Sequence, residues 1–200
     1  IAARELRYSW FYELLETKNF DYIVTAHHAD DNLETFLINL SRGTGIDGLV
    51  GIPAQNNNVI RPLLIFSRDE IMHYATQNNI VWREDSSNAS DHYLRNKIRH
   101  HIVPELKEIN PNFLKSLKKT QQYLQESQAI MDDAINMVYH QVVVEKEDGI
   151  YIDIEALIKF SNYKTYLYYW LKDYGFTAWN DVFNLIDAQT GKLIYAAEYQ

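Results

Sequence analysis

The sequence predicts an α/β fold followed by a mainly helical second part. The run from Asp21 to His27 is short and β-branched, as in a buried strand. Before and after this run, apolar residues recur at intervals of three and four, as in amphipathic helices. Helix, strand and helix in that order are typical of an α/β sheet, whose ligand sites lie beyond the carboxyl ends of its strands. From residue 110 onward, helical spacing predominates.

Capping and helix-breaking residues define the elements that follow the first strand. In order, these elements are a helix from about Asp30 to Leu40, a glycine-rich loop over 42–51, a strand over 59–61, a helix from Ser67 to about Asn78, a turn over 85–88 and a helix from Asp91 to Val103. Ser67 and Glu70 have the spacing of a capping box. Pro62 is expected to end the second strand, and Pro104 is expected to end the last helix.

The second part is expected to begin with one long helix, or with two in tandem, that links two domains. The predicted boundaries are 1–109 for the first domain, 110–140 for the helical linker and 141–200 for the second domain. The elements predicted after the linker are a hairpin over 142–152, three short helices ending near Ala188 and a strand at Lys192–Tyr195.

The composition is that of a packed protein without thiol chemistry. The 200 residues are 46% hydrophobic and include no Cys, which excludes a disulfide scaffold, thiolate zinc sites and a cysteine nucleophile. No apolar run approaches the roughly 20 residues that span a bilayer, and no secretory leader opens the chain. These features predict a cytoplasmic protein with no membrane association. Because Ile1 already lies within a helical pattern, further residues are expected upstream.

Charge is distributed unevenly along the chain. The formal net charge of −8 argues against a protein covered with phosphate contacts, because binding to nucleic acid depends on basic patches. Residues 91–119 carry seven Lys or Arg against three Asp or Glu, whereas residues 126–200 carry five against twelve. RNA contacts are therefore expected in the basic segment rather than broadly over the acidic one.

Acidic and imidazole side chains are concentrated where the helix near Asp30 begins. Asp31 and Glu34 are three residues apart and share one face of the first turn, and His27 lies just before it at the strand end. Carboxylates there can hold Mg²⁺ between phosphates or accept hydrogen bonds from an ammonium group. Alternatively, the aspartates only cap the helix and Glu34 is solvated. Two His and three acids within eight residues favour a functional site.

Two other segments have the composition of ligand-binding sites. Arg95, Lys97 and Arg99 form a basic cluster with two following histidines, and guanidinium groups bind phosphate oxygens bidentately. A solvated helix face that complements the helix dipole explains this cluster equally well. The loop over 42–51 has four glycines in nine residues but is neither a Walker sequence nor a dinucleotide fingerprint. Taken alone, it is typical of an ordinary flexible loop.

Seven separated segments together follow the order and spacing of one known family. They are Ala26–Thr35, Arg42–Gly45, Gly48–Leu49, Arg61–Leu63, Glu84–Asn88, Arg95–Arg99, and Pro104 with Asn110–Pro111. In these segments, from about residue 2 to residue 112, the chain resembles the tRNA(Ile)-lysidine synthases of the PP-loop, or N-type ATP pyrophosphatase, family. Agreement in order makes the resemblance specific, although each segment alone is weak. Beyond residue 112, only length and helical character agree.

The resemblance implies a Rossmann-like parallel-sheet PP-loop domain followed by a mainly helical substrate-binding domain. In this family, ATP adenylates the cytidine at the first anticodon position at C2, pyrophosphate leaves, and the amine of lysine then displaces AMP. The resemblance therefore implies ATP and Mg²⁺ as cofactors, and tRNA(Ile) with a CAU anticodon and L-lysine as partners. Family members are often homodimers, and the sequence leaves the oligomeric state open.

The resemblance also assigns residues to roles. The catalytic set is His27, Asp31, Glu34 and Arg99. The nucleotide-binding set is Arg4, Arg7, His27, Gly43 and Gly45, and the substrate- and RNA-binding set is Arg95, Lys97 and Arg99. Asp31 and Glu34 are the expected acceptors of the lysine ammonium, and Asp31 is also the expected Mg²⁺ ligand.

One departure from the family is large. The pyrophosphate-binding loop of the family, Ser-Gly-Gly-x-Asp-Ser, occurs nowhere in this sequence. In the family, that loop precedes the helix that contains Arg4, so its absence agrees with the expectation of further residues upstream. The chain is therefore predicted to be inactive as a ligase on its own.

Two other function classes are kept as alternatives. His27, His28, Asp30 and Asp31 are reasonable ligands for a metal-dependent phosphohydrolase, which a defined Mn²⁺ or Zn²⁺ stoichiometry would support. The basic segment from Arg95 to His101, with exposed aromatic rings, could instead serve a non-catalytic RNA-binding module. RNA binding that is indifferent to ATP, to lysine and to mutation of Asp31 would support that module.

Overall fold

The computed structural model describes residues 2–84, 90–91 and 93–196, with side chains from residue 4 onward. It divides into two compact units, Ile1–Glu126 and Ser127–Gln200, and each unit is described by itself. The domain boundaries predicted from the sequence stay a prediction. No helix of the described residues is long and apolar enough to cross a membrane.

A small mixed sheet forms the centre of the first unit. Helix α1 (Ala2–Lys18) leads into strand β1 (Ile23–Val24), which pairs in parallel with β3 (Val59–Ile60). Strand β2 (Gln55–Asn56) pairs antiparallel with β3 and was not predicted from the sequence. The intervening turn places Asn57 at a φ of 48°, a left-handed conformation that Asn tolerates. The parallel pair between helices confirms the predicted α/β class.

Helices α2 (Ala29–Ser41) and α3 (Arg68–Gln77) begin at reciprocal capping boxes. Ser67 caps α3 with Glu70, as predicted. The cap of α2 is His28, whose Nδ1 accepts the Asp31 N–H at 3.3 Å while the Asp31 carboxylate accepts the His28 N–H at 3.1 Å. The cap therefore fixes the start of α2 directly after the end of β1.

The predicted helix from Asp91 to Val103 has different bounds in the structure. Helix α4 (Leu94–Lys97) passes through one π-helical turn (Ile98–Ile102) into α5 (Val103–Ile109). The prediction that Pro104 ends this helix was wrong, because Pro104 directly follows the π-helical turn and lies in the first turn of α5, a position where proline is tolerated. The turn predicted over 85–88 lies outside the described residues.

The first unit has one buried cluster of apolar side chains that joins α2 to these helices. Leu33 of α2 is fully buried against Ile98, Val103 and Leu117. Burying one such side chain stabilises a protein by about 1.5–3 kcal/mol. This cluster therefore fixes the face that α2 presents to the helical segment 94–109, from which several side chains of the site project.

The predicted long helix is a single helix, α6 (Phe113–Val142). In the second unit, strands β4 (Val143–Lys146) and β5 (Gly149–Ile152) form the predicted antiparallel hairpin. The three predicted short helices are α7 (Ile154–Leu157), α8 (Tyr163–Leu171) and α9 (Trp179–Asn184). Leu157 and Leu167 pack with Val138 and Val142 in a second core.

The strand predicted at Lys192–Tyr195 was wrong. These four residues have no regular secondary structure. A β-strand forms only when its N–H and C=O groups pair with a neighbouring strand, and neither described sheet offers such a partner to this segment. The apolar pattern alone could not reveal the missing partner.

Candidate active site

A cleft of about 380 Å³ lies at the carboxyl end of β1 in the first unit. Its lining residues are Arg4, Arg7, Tyr8, Phe11, Val24, Thr25, Ala26, His27, Asp31 and Arg95. The cleft thus brings together five residues that the sequence analysis assigned to a site. It also lies where an α/β sheet is expected to bind ligands. The cleft volume is within the usual range for small-molecule sites, about 300–1,000 Å³.

A larger cleft, of about 530 Å³, lies in the second unit beside Asn184, Asp187 and Lys192. Its charged groups are one acid and one base, and none of the residues predicted to be functional lines it. The smaller cleft gathers three guanidinium groups, a histidine and a carboxylate. We therefore assign the candidate site to the smaller cleft.

His27 lies in the cleft as an uncharged imidazole. Its Nδ1 is 2.9 Å from the Thr25 hydroxyl, so strand β1 fixes the ring. Burial lowers the pKa of His27, and the charges of Arg61, Arg4 and Arg95 lower it further against the opposing effect of Asp31. At neutral pH the ring is therefore neutral and can exchange hydrogen bonds with a ligand without adding charge.

Glu34 is buried and bound by two guanidinium groups, whereas the prediction was a carboxylate that accepts an ammonium group. Its side chain is 1% exposed, and its oxygens accept hydrogen bonds from Arg95 Nε at 2.8 Å, Arg99 Nε at 2.6 Å and Arg99 Nη2 at 3.0 Å. The hydrogen bond to Glu34 is the main reason that the pKa of Arg99 is raised. Glu34 therefore does not present a free carboxylate to an ammonium group, and it holds two guanidinium groups instead.

The carboxylate of Asp31 is less occupied by protein hydrogen bonds than that of Glu34. Asp31 lines the cleft with 16% of its side chain exposed. One oxygen accepts the His28 N–H, and the other is 3.4 Å from Arg99 Nη2, which is long for a charge-assisted hydrogen bond. Of the two predicted ammonium acceptors, Asp31 is thus the one whose geometry fits.

The third carboxylate at the start of α2, Asp30, points away from the cleft. Its oxygens accept hydrogen bonds from Lys107 Nζ at 2.7 Å and from the Arg68 N–H at 2.8 Å. Burial alone disfavours the charged form, but these two hydrogen bonds outweigh it, so the pKa of Asp30 lies below its ordinary value. Likewise, burial opposes the Lys107 ammonium, but the hydrogen bonds and charges of Asp30 and Asp69 together outweigh burial and raise the pKa of Lys107.

Several predicted residues lie away from the cleft. Gly43 and Gly45 lie beyond the C-terminal end of α2, whose residues Asp31 and Ser41 are about 15 Å apart along the helix at 1.5 Å per residue. Lys97 is exposed and does not line the cleft, whereas Arg95 and Arg99 of the predicted basic cluster bind Glu34. The two histidines of this cluster bind the carboxylate of Asp91 at 2.7 and 2.6 Å.

Arg61 was not predicted as a site residue, and it is buried with 8% of its surface exposed. Its Nη1 donates to the Pro53 carbonyl at 2.7 Å, and its Nε has no hydrogen-bond partner among the described residues. Thr25, Tyr8 and Phe11 were also missed as lining residues. In the sequence, Thr25 is marked only by its position directly after β1, and Tyr8 and Phe11 only by their position on the same helix as Arg4.

The His, Asp and Glu side chains that the structure describes near the cleft do not by themselves complete a metal site. No three His, Asp or Glu side chains in the described part of the chain converge closely enough to hold a metal ion. His27 contacts the Thr25 hydroxyl, whereas His28 lies 3.9 Å from Asp30 and 3.4 Å from Asp31. Asp31 alone fits Mg²⁺, which proteins usually hold through one or two carboxylates together with substrate phosphates.

Comparison with known protein families matches residues 1–106 to a PP-loop domain, which is more than half of the chain. The chain belongs to the PP-loop family. Residues 145–200 match a TilS substrate binding domain. The Rossmann-like PP-loop fold expected from the resemblance is therefore confirmed, with the mixed three-stranded sheet described above as the part of it present here.

Several relatives of this PP-loop chain carry the name tRNA(Ile)-lysidine synthase, which confirms the predicted resemblance. The protein of Parabacteroides distasonis is 39% identical over 202 residues, covering 100% of this chain and 45% of the relative. That of Bacteroides thetaiotaomicron is 38% identical over 202 residues, covering 100% and 46%. That of Porphyromonas gingivalis W83 is 48% identical over 126 residues, covering 62% and 28%. The chain spans less than half the length of these relatives.

Proposed function

We propose that this chain carries the nucleotide and lysine site of an ATP-dependent ligase that modifies tRNA. Its substrate is the cytidine at the first anticodon position of tRNA(Ile) with a CAU anticodon, and its product carries lysidine. The observation that carries the proposal is the cleft at the end of β1, where Arg4, Arg7 and Arg95 line one space with Asp31. Such a site can bind a polyanion and an ammonium group side by side.

The basic side of the cleft suits the phosphates of ATP. Arg4 and Arg7 both line the cleft from α1 and supply fixed positive charge. His27 is neutral and is oriented by Thr25, so it can donate or accept a hydrogen bond at the nucleotide without changing the charge of the site. These side chains support the proposed nucleotide role of Arg4, Arg7 and His27.

The acidic side of the cleft suits the ammonium group of L-lysine. Asp31 lies at the N-terminus of α2 and lines the cleft with 16% of its side chain exposed. We assign it as the ammonium acceptor. Glu34 is assigned to position Arg95 and Arg99, since both of its oxygens are occupied by their guanidinium groups.

The proposed reaction has two substitutions. The carbonyl oxygen on C2 of the cytidine attacks the α-phosphorus of ATP, and pyrophosphate leaves. The amine of lysine then attacks C2, loses a proton, and AMP leaves with the former carbonyl oxygen. Arg95 and Arg99, held rigid by Glu34, are assigned to stabilise the negative charge that develops in both steps.

RNA and metal contacts complete the proposal. The target base must leave the anticodon stack to reach the cleft, and exposed Lys97 is assigned to the RNA backbone nearby. Mg²⁺ would supply charge neutralisation on the phosphates, and Asp31 is the residue whose carboxylate fits it as a single protein ligand. A homodimer, as often found in the family, stays a prediction.

The experiment uses a completed protein, defined as a full-length protein in which this chain replaces the 202 matched residues of the Parabacteroides distasonis relative. The assay is incorporation of labelled lysine into tRNA(Ile) with a CAU anticodon, in the presence of ATP. We expect activity in the completed protein and none in the chain alone, which has no pyrophosphate-binding loop in its sequence.

Variants of the completed protein test the assigned residues. Asp31→Ala and Arg99→Ala are expected to abolish incorporation, whereas Lys118→Ala, which removes an exposed charge on α6, is the matched control. If Asp31→Asn raises the Mg²⁺ requirement without raising the KM for lysine, Asp31 binds the metal rather than the ammonium. Failure of the completed protein to incorporate lysine, together with phosphoester hydrolysis on addition of Mn²⁺, would overturn the proposal in favour of a phosphohydrolase.

A further inference from the structure

Three acidic residues of α2 are bound by three basic residues of one helical segment. Arg95 and Arg99 bind Glu34, Arg99 also approaches Asp31, and Lys107 binds Asp30. The bases lie on α4, on the π-helical turn and on α5, which follow one another without a break. One continuous helical segment therefore determines how the charge at the start of α2 is neutralised.

The π-helical turn explains how Lys107 reaches the same neighbour as Arg99. The two residues are eight positions apart, which in an undisturbed α-helix is a rotation of about 80° away from a common face. The π-helical turn takes up one extra residue, which reduces the effective spacing to about seven residues. Seven residues are close to two full α-helical turns, so both side chains face α2.

The contact between Lys107 and Asp30 is more buried than an ordinary surface ion pair. Asp30 is 5% exposed, and its nearer oxygen is 2.7 Å from Lys107 Nζ. Its other oxygen accepts the Arg68 N–H, and the Ala29 N–H donates to the Phe66 carbonyl at 2.8 Å. Three points of contact thus hold the start of α2 against α5 and the start of α3.

We propose that Lys107 is a positioning residue: by binding Asp30 it fixes the first turn of α2, and it thereby holds the carboxylate of Asp31 in the cleft where the ammonium group of the substrate binds. Without the Lys107 ammonium, Asp30 is a second anion adjacent to Asp31 in sequence, and its Oδ2 is 3.9 Å from His28 Nδ1. That same Nδ1 accepts the Asp31 N–H, so an uncompensated charge on Asp30 disturbs the cap that orients Asp31 in the cleft. This inference rests on the proposed function.

The test is a double-mutant cycle in the completed protein, with the KM values for lysine and for ATP measured separately. Lys107→Met removes the ammonium and keeps the length of the side chain. We expect it to raise the KM for lysine roughly tenfold, a size typical of coupled neighbours, and to leave the KM for ATP unchanged. The double variant Asp30→Asn/Lys107→Met contains no unpaired charge and is expected to return the KM for lysine to within about threefold of wild type.

Asp69→Asn is the matched control. Asp69 is the other carboxylate near Lys107, at 3.3 Å, but its side chain is 83% exposed. Losing this exposed contact is expected to leave the KM for lysine unchanged. A general structural defect would lower kcat and thermal stability together and would raise both KM values, so the selective effect on lysine separates positioning from stability.

Two results would overturn the inference. One is a Lys107→Met protein with the wild-type KM for lysine. The other is a double variant no better than Lys107→Met, or, if Lys107→Met does not fold, no better than Asp30→Asn. If the wild-type completed protein does not incorporate lysine, the proposed function and this inference both fall. If it does so and the cycle shows no coupling, the inference alone falls.

Discussion

Replacing Glu34 with Gln tests whether the carboxylate between two guanidinium groups stabilises the first unit. Glu34 accepts one hydrogen bond from Arg95, at 2.8 Å, and two from Arg99, at 2.6 and 3.0 Å. A Gln amide has nearly the same shape but no charge, and its NH₂ group would face at least one of these donors. Both guanidinium groups would then lack their buried counter-charge.

The geometry sets the expected size of this effect. Removing one partner of a buried ion pair costs about 3–5 kcal/mol, because a charge is left uncompensated. The Arg95 side chain is 38% exposed, so water replaces part of the lost interaction. We expect Glu34→Gln to lower the free energy of unfolding by about 2–3 kcal/mol. At about 2–4 °C per kcal/mol for a domain of about 150–250 residues, Tm falls by about 4–12 °C.

Differential scanning calorimetry of the completed protein measures this shift. The matched control is Glu13→Gln, because Glu13 is an exposed residue of α1 whose charge is removed in the same way. A Tm of the Glu34→Gln protein equal to those of wild type and control would refute the assignment of Glu34 as a buried counter-charge. An equal fall in the Tm of both variants would show that the net charge of the protein, rather than the contacts of Glu34 with Arg95 and Arg99, determines its stability.

Two further predictions concern stability. Gly51 has a φ of 94°, and an added Cβ would lie 2.8 Å from the amide nitrogen of Gln121, so Gly51→Ala is expected to cost about 1–3 kcal/mol in urea unfolding, whereas Gly45→Ala has open space and little effect. The hydrogen bond to Glu145 raises the pKa of Tyr139 to about 12. The contribution of this hydrogen bond to stability is present below about pH 10 and is lost as pH rises through 12. A ¹³C NMR titration of the Glu145→Gln protein should show a Tyr139 pKa nearer 10.

Local sequence rules predicted the elements that depend on neighbouring residues. The capping box at Ser67 and Glu70 uses groups three residues apart, and the hairpin of β4 and β5 closes over a short turn. The position of His27 at the end of β1 also follows from local order along the chain. Each of these features is determined by interactions within a few residues.

The same rules could not predict which carboxylate stays available. Arg99 and Glu34 are 65 residues apart in sequence, and their contact depends on the packing of α2 against the segment 94–109. Helical spacing correctly placed Asp31 and Glu34 near each other, but it gave no information about the guanidinium groups that reach Glu34. The sequence therefore treated the two carboxylates alike, whereas the structure places guanidinium groups on both oxygens of Glu34.

Pro104 and the π-helical turn show how this packing arises. A regular helix ending at Val103 would not contain Lys107, and Asp30 would then lack its ammonium partner. Because Pro104 lies in the first turn of α5, the chain continues as a helix to Ile109 and carries Lys107 past the π-helical turn to α2. The error in the predicted helix end and the failure to predict Lys107 therefore have one physical cause.

Three carboxylates within five residues of α2 thus have three different environments. Glu34 is buried between guanidinium groups, Asp30 is bound by an ammonium and a backbone N–H, and Asp31 faces the cleft. Because all three side chains are carboxylates, the difference between their environments comes from the helical segment 94–109, which supplies their basic partners. The orientation of the carboxylate that faces the cleft depends on how the first turn of α2 is held, and the ion pairs of Glu34 and Asp30 hold that turn. The segment 94–109 is therefore as much a determinant of the proposed lysine specificity as α2 itself.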